Sequence, residues 1–129
     1  MTNIKMLNNR GRDSKPELAV RRIVHAAGLR YRVSARPLAH IPRTADLVFR
    51  PSRVAVFIDG CFWHSCPVHA STPKSNTSYW TPKLERNMER DTETNQLLIT
   101  AGWLPLRFWE HENAEMAAAT VIRAVMDRR

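Results

Sequence analysis

Residues 57–69, Phe57-Ile58-Asp59-Gly60-Cys61-Phe62-Trp63-His64-Ser65-Cys66-Pro67-Val68-His69, set an acid, two adjacent aromatics, two cysteines and two histidines directly behind an apolar run. A plain core segment has no use for that mixture, so the chemistry of the chain is expected here. Cys61, Cys66 and His69 form a C-x4-C-x2-H arrangement, and His111 is a fourth candidate ligand farther along. Thiolates and imidazoles are the donors of a tetrahedral Zn²⁺ site, where close ligands from one loop are commonly completed by a distant residue. The spacing is not that of a standard zinc finger, and two thiols in a core are the bland alternative.

A second constellation is built from carboxylates. Asp46 is the one acid in the apolar run 45–49, and Asp59 ends the next apolar run. A carboxylate in such a place is costly unless it is paired or binds a cation; a salt bridge to one of the many arginines is the structural alternative for Asp46. Paired carboxylates at the ends of adjacent strands can hold Mg²⁺, which orients water and offsets the charge that builds on a phosphodiester under attack. His64, five residues beyond Asp59, can take the proton from that water if it titrates near neutrality. Phe62 and Trp63 cannot both face the core of a strand. An exposed aromatic of this kind can wedge between base steps, or one of the two can instead cover the zinc site.

The elements that must position these residues follow from the pattern on either side. The S-x-x-E start at Ser14-Lys15-Pro16-Glu17 predicts a helix to about Ala27, with Val20, Ile23, Val24 and Ala27 as its apolar stripe and Gly28 as its stop. Capping alone can explain Glu17. Leu29, Tyr31 and Val33 alternate with Arg30, Arg32 and Ser34, predicting a strand, and residues 36–43 read as a loop. Runs 45–49 and 54–58, joined by Arg50-Pro51-Ser52-Arg53, predict a hairpin of two central strands. Thr81-Pro82 predicts the start of a long helix to about Thr100, whose polar face carries Lys83, Arg86, Asn87 and Arg90, suited to phosphate oxygens or simply solvated. Residues 103–109 predict an edge strand, because Pro105 cannot donate a ladder hydrogen bond, and 114–126 a last helix. The order α-β-β-β-α-β-α makes a mixed sheet with helices on its faces. The hairpin excludes an all-parallel dinucleotide-binding sheet, and no glycine-rich phosphate loop is present.

Composition limits the partners. The chain has 129 residues, the length of one domain, and a formal charge of +8 that suits a polyanion, nucleic acid first. No run approaches a membrane span, so no membrane partner is expected, and without a glycine-rich phosphate loop neither is a nucleotide cofactor. Both cysteines lie beside histidines, which in a reducing compartment reads as a metal site before a disulfide. Residues 1–13 are polar and basic, with Met6 isolated in the middle, and read as an arm that orders on DNA, leaving 14–129 as the folded domain.

Taken together, these residues resemble the very-short-patch repair endonucleases, DNA mismatch nicking enzymes of the restriction-endonuclease-like superfamily. The matching stretches are Arg12-Asp13 with Glu17, Ala45-Asp46-Leu47-Val48, Gly60-Cys61-Phe62-Trp63-His64, Trp80-x-x-Lys83-x-x-x-Asn87-x-x-Arg90-Asp91, Ala101-Gly102-Trp103 and Trp109-Glu110. The resemblance implies an α/β, restriction-endonuclease-like three-layer fold: a central mixed β-sheet flanked by helices, with one structural zinc site. It implies Asp46 and the Ile58 carbonyl as Mg²⁺ ligands, His64 acting on the attacking water, and Glu17 helping to hold metal-bound waters. The zinc ligands it implies are Cys61, Cys66, His69 and His111, with cysteine and histidine exchanged at some positions. Phe62 and Trp63 are implied to intercalate beside the mismatch, with Met6 entering from the other groove on the ordered N-terminal arm. Asp59 is a departure, since the best-known members have histidine there; an acid at that place can bind metal in the general manner of the superfamily.

The activity so implied is Mg²⁺-dependent nicking of one strand of duplex DNA 5′ to the thymine of a T·G mismatch. The enzyme is expected as a monomer in the bacterial or phage-infected cytoplasm, on nucleoid DNA, with mismatch-repair proteins as further partners. Rival readings are a less selective mismatch or restriction-type nuclease, and a zinc-stabilised DNA-binding module without catalysis.

Overall fold

The structure is a computed structural model that describes residues 15–60 and 77–128. In chain order its elements are α1 (Lys15–Ala26), β1 (Arg32–Ala35), β2 (Ala45–Phe49), β3 (Val54–Asp59), α2 (Thr77–Thr100), β4 (Leu104–Trp109) and α3 (Ala114–Asp127). The strands form one sheet in the order β1-β2-β3-β4, antiparallel except for the β3–β4 pair, which is parallel. The expected mixed sheet and central hairpin are therefore present, and the whole is consistent with a restriction-endonuclease-like fold. Among the described residues no helix is long and apolar enough to cross a membrane.

Both faces of the hairpin are covered, which is why its two strands read as nearly continuous apolar runs. On one face Leu47, Phe49, Val54 and Val56 pack with Val20 and Val24 of α1 and with Ala117, Ala118, Val121 and Val125 of α3. On the other, Val48, Ala55 and Phe57 pack with Leu98 of α2 and Trp103. The helix ends have local causes. Gly28 and Gly102 take φ of +84° and +86° just past α1 and α2, a region glycine enters without steric cost. Asn113 caps α3, its side chain accepting from the Met116 N–H at 3.0 Å.

Two boundaries differ from expectation. β1 begins at Arg32, because Leu29 is buried in the helix-packed core and Tyr31 turns inward, its hydroxyl donating to the Arg21 carbonyl and its ring against Phe49. Alternating burial there precedes strand pairing, which starts at Arg32 opposite Val48. α2 begins at Thr77, one turn before Thr81-Pro82, so Pro82 lies inside the helix. Proline has no N–H to donate, and the helix loses one ladder bond there. Pro105 does lie on an edge strand, paired with Ala55 in parallel register.

Candidate active site

The hairpin opens at one end, and the opening is where the chemistry concentrates. β2 and β3 pair at Phe49–Val54, Val48–Ala55 and Leu47–Val56, and there the ladder stops, although Ala45 still pairs with Ala35 of β1. Into the gap turns the side chain of Asp46, whose Oδ2 accepts from the Ile58 N–H at 2.6 Å. A carboxylate has replaced the missing strand partner.

The orientation of the Ile58 carbonyl follows from the same ladder. Along β3 the carbonyls of Arg53 and Asp59 accept from β4, from the Leu104 and Glu110 N–H groups, so odd positions face β4. A residue of an extended strand projects its N–H and C=O to the same neighbour. Ile58, whose N–H faces Asp46, therefore turns its carbonyl toward β2 as well, where no ladder partner remains. Two oxygen donors of the kind a hard cation takes thus face one opening.

Electrostatics at the opening are unusual. The Asp46 carboxyl is pushed up from the ordinary 3.8 to about 7, first by burial and then by the negative charges of Glu17 and Asp59, against the Ile58 N–H and Arg107. Glu17, only 2% exposed, comes from α1 on one face of the sheet. It lies near Arg21, at 3.4 Å, in its own helix. A partly buried carboxylate that feels the charge of two more anions is a site that a divalent cation would relieve, so the residues fit Mg²⁺. Among the described residues no group of three His, Cys, Asp or Glu side chains is gathered closely enough to hold a metal unaided. Water would have to complete the shell, as Mg²⁺ commonly requires.

Asp59 is placed differently from the expectation that it faces a cation. Both its oxygens lie on Arg107 of β4, at 3.0 and 3.2 Å from one guanidinium nitrogen. The salt bridge considered for Asp46 is realised at Asp59 instead. The same guanidinium reaches Asp91 at 3.5 Å, donates through Nε to Asn95 at 2.8 Å, and stacks 4.1 Å from the Phe57 ring centre. The sequence alone assigns no role to Arg107, Asp91 or Asn95. The available signal was a single base inside strand 104–109, the counterpart of the single acid in strand 45–49.

The helix face attributed to DNA divides in two. Lys83 and Asn87 are half-buried, on the line that continues through Asp91 to the buried Thr94 and Leu98, whereas Arg86 and Arg90 are exposed on the outer side. A cleft of about 240 Å³ beside Arg107 is walled by Asp59, Asp91 and Glu112 as well as Trp109. Its acids would repel a phosphate. His111 is exposed in the turn after β4. Met6, Cys61, Phe62, Trp63, His64, Cys66 and His69, together with the arm 1–13 and the Ser14 cap, lie outside the described residues.

Comparison with known proteins joins this geometry to a family. The sequence model of the DNA mismatch endonuclease Vsr family matches residues 2–69. The Type II nicking enzyme V.NaeI of Lentzea aerocolonigenes is 48% identical over 119 residues, covering 91% of this chain and 72% of the relative. The Type II nicking enzyme V.HpaIIP of Haemophilus parainfluenzae is 36% identical, covering 94% of this chain and 87% of its own. The DNA mismatch endonuclease Vsr of Escherichia coli is 32% identical, covering 77% of this chain and 62% of its own. With the partly buried Asp46 carboxylate in an opened hairpin as its candidate centre, this chain belongs to the Vsr family of DNA endonucleases.

Proposed function

We propose that the protein is a Mg²⁺-dependent endonuclease that nicks one strand of duplex DNA 5′ to the thymine of a T·G mismatch, leaving a 5′-phosphate and a 3′-hydroxyl. The observation that carries the reading is Asp46: a partly buried acid facing the opened ladder, hydrogen-bonded to Ile58, its proton affinity raised to near neutrality first by burial and then by the charges of Glu17 and Asp59. Relatives named as nicking enzymes support single-strand cleavage, and the relative named as a mismatch endonuclease supports the lesion.

Asp46 and the Ile58 carbonyl would hold the cation. Bound Mg²⁺ supplies a polarised water and offsets the charge on the attacked phosphate. Glu17, buried across from Asp46, keeps negative charge where bound waters need acceptors. His64 takes the proton of the attacking water, and Phe62 and Trp63 with Met6 unstack the mismatch, roles that rest on the family resemblance; Arg86 and Arg90 join Lys83 and Asn87 at the backbone, a role that rests on the basic polar face of α2. Zn²⁺ held by Cys61, Cys66, His69 and His111 stiffens the recognition loop. His111 follows Trp109 by two residues as Cys61 follows Asp59, and Trp109 and Asp59 are register partners, which supports a shared site.

The test is a panel of matched and mismatched duplexes, each labelled on both strands and incubated with Mg²⁺. Selective nicking of the T·G duplex on its T strand is expected. Equal cutting of every duplex would remove the repair reading, and cutting of both strands would turn the enzyme into a restriction-type nuclease. Metal analysis of the purified protein should find one zinc per chain.

A further inference from the structure

Arg107 is a cation that the surface does not use. Its guanidinium joins β4 to β3 through Asp59 and the Phe57 ring, and to α2 through Asp91 and Asn95. With its side chain 18% exposed, and with Nε and one terminal nitrogen engaged by Asn95, Asp59 and Asp91, it serves as a strut between elements. A guanidinium fork has the planar, multi-donor geometry for this. Both members of the ion pair lie close enough to Asp46 for their charges to be felt there.

We propose that Arg107 and Asp59 form a positioning pair for the hydrolytic site: Arg107 holds the Asp59 carboxylate on the α2 side of β3, away from the cation at Asp46. The pair also anchors to α2 the strand end that carries the Ile58 carbonyl. This inference rests on the Mg²⁺ reading above. Without the guanidinium, Asp59 would be a largely buried carboxylate with its main counter-charge gone, one residue from a cation ligand, and it would turn to the cation. The cation would then be bound more tightly and in the wrong place.

The experiment measures Mg²⁺ affinity by titration calorimetry in the absence of DNA, and nicking of a mismatched duplex against Mg²⁺ concentration, for the full chain, Arg107→Met, Asp59→Asn and the double variant, with thermal midpoints as a check on folding. Arg107→Met should lower kcat about ten-fold or more while the half-saturating Mg²⁺ concentration falls several-fold. Adding Asp59→Asn should return the Mg²⁺ dependence to that of the parent, with no further loss of kcat, because the two residues act as a unit. Where Arg107→Met does not fold, Arg107→Gln carries the same comparison. Additive losses with unchanged Mg²⁺ dependence would reduce the pair to a structural role and overturn the proposal. So would a rise of about ten-fold in half-saturating Mg²⁺ for Asp59→Asn alone, the mark of a direct ligand. If the parent nicks with Mg²⁺ and Asp46→Asn does not, such results defeat the positioning role alone; a parent with no Mg²⁺-dependent nicking defeats the reading beneath it as well.

Discussion

Asp46 and Asp59 stand at the same end of the sheet on adjacent strands, and their surroundings differ in almost every respect. Asp46 faces an opened ladder, takes one backbone N–H and sits between other anions. Asp59, also buried, lies against a guanidinium that three further groups hold in place. The difference teaches that a carboxylate taken out of water has two ways to be stabilised: an internal counter-ion makes it part of the framework, and without one it holds a proton or, on the function proposed above, an external cation. Neighbours assign the fate, since the side chain is the same.

The contrast can be broken most severely at Asp46. Asp46→Asn keeps the hydrogen bond from Ile58 and removes the charge, so nicking should fall by about a thousand-fold or more while the fold and metal-free DNA affinity persist. Gel assays and circular dichroism check this together, and residual nicking within about ten-fold of the parent would reject the assigned centre.

At Asp59 the corresponding change acts on stability. Arg107→Met leaves a largely buried carboxylate without its main counter-charge, which should cost about 3–5 kcal/mol in urea unfolding; a loss below about 1 kcal/mol would mean that the ion pair is not sequestered.

The pH dependence sharpens the comparison further. Asp46 titrates near 7 in the fold and near 3.8 unfolded, so the folded state holds the extra proton between those values. Its contribution is therefore a cost, absent below about pH 4, growing as pH rises and complete above about pH 7. In chelator, Asp46→Asn should raise stability at pH 8 by a few kcal/mol, at about 1.4 kcal/mol for each pH unit that separates the folded and unfolded titrations, and by almost nothing at pH 4. The half-saturating Mg²⁺ concentration of the parent should climb about ten-fold per pH unit below 7, as the cation competes with the proton. A flat profile would remove the raised affinity.

The smallest effect belongs to an ion pair outside the contrast. Arg43 and Glu93 join the 36–44 loop to α2, with Glu93 61% exposed. Glu93→Gln should change stability by about 0–1 kcal/mol, less at high salt. A larger loss would show that exposure is a poor guide to the worth of ion pairs in this protein.

Much of the architecture is legible from local pattern. Apolar runs 45–49 and 54–58 with a four-residue turn specify the hairpin, and a single acid in the first run marks Asp46 because burying it is expensive wherever the strand lies. Local signals also mislead where a neighbour intervenes. The alternation from Leu29 reports burial against helices before any strand pairing, and Thr81-Pro82 has the look of a helix start although the helix passes through it.

From the sequence alone came the charge that suits a polyanion, the clustering of acids, thiols and imidazoles, the family, and Asp46 as the candidate carboxylate. The tertiary structure decided which acid received a counter-ion. Arg107 lies 48 residues from Asp59, and only the parallel register of β3 with β4, and the approach of α2, bring its charge there. Spacing along a chain limits which groups can meet within one element, whereas Coulomb interaction and desolvation act through space. The proton affinity of Asp46 therefore belongs to the assembled sheet.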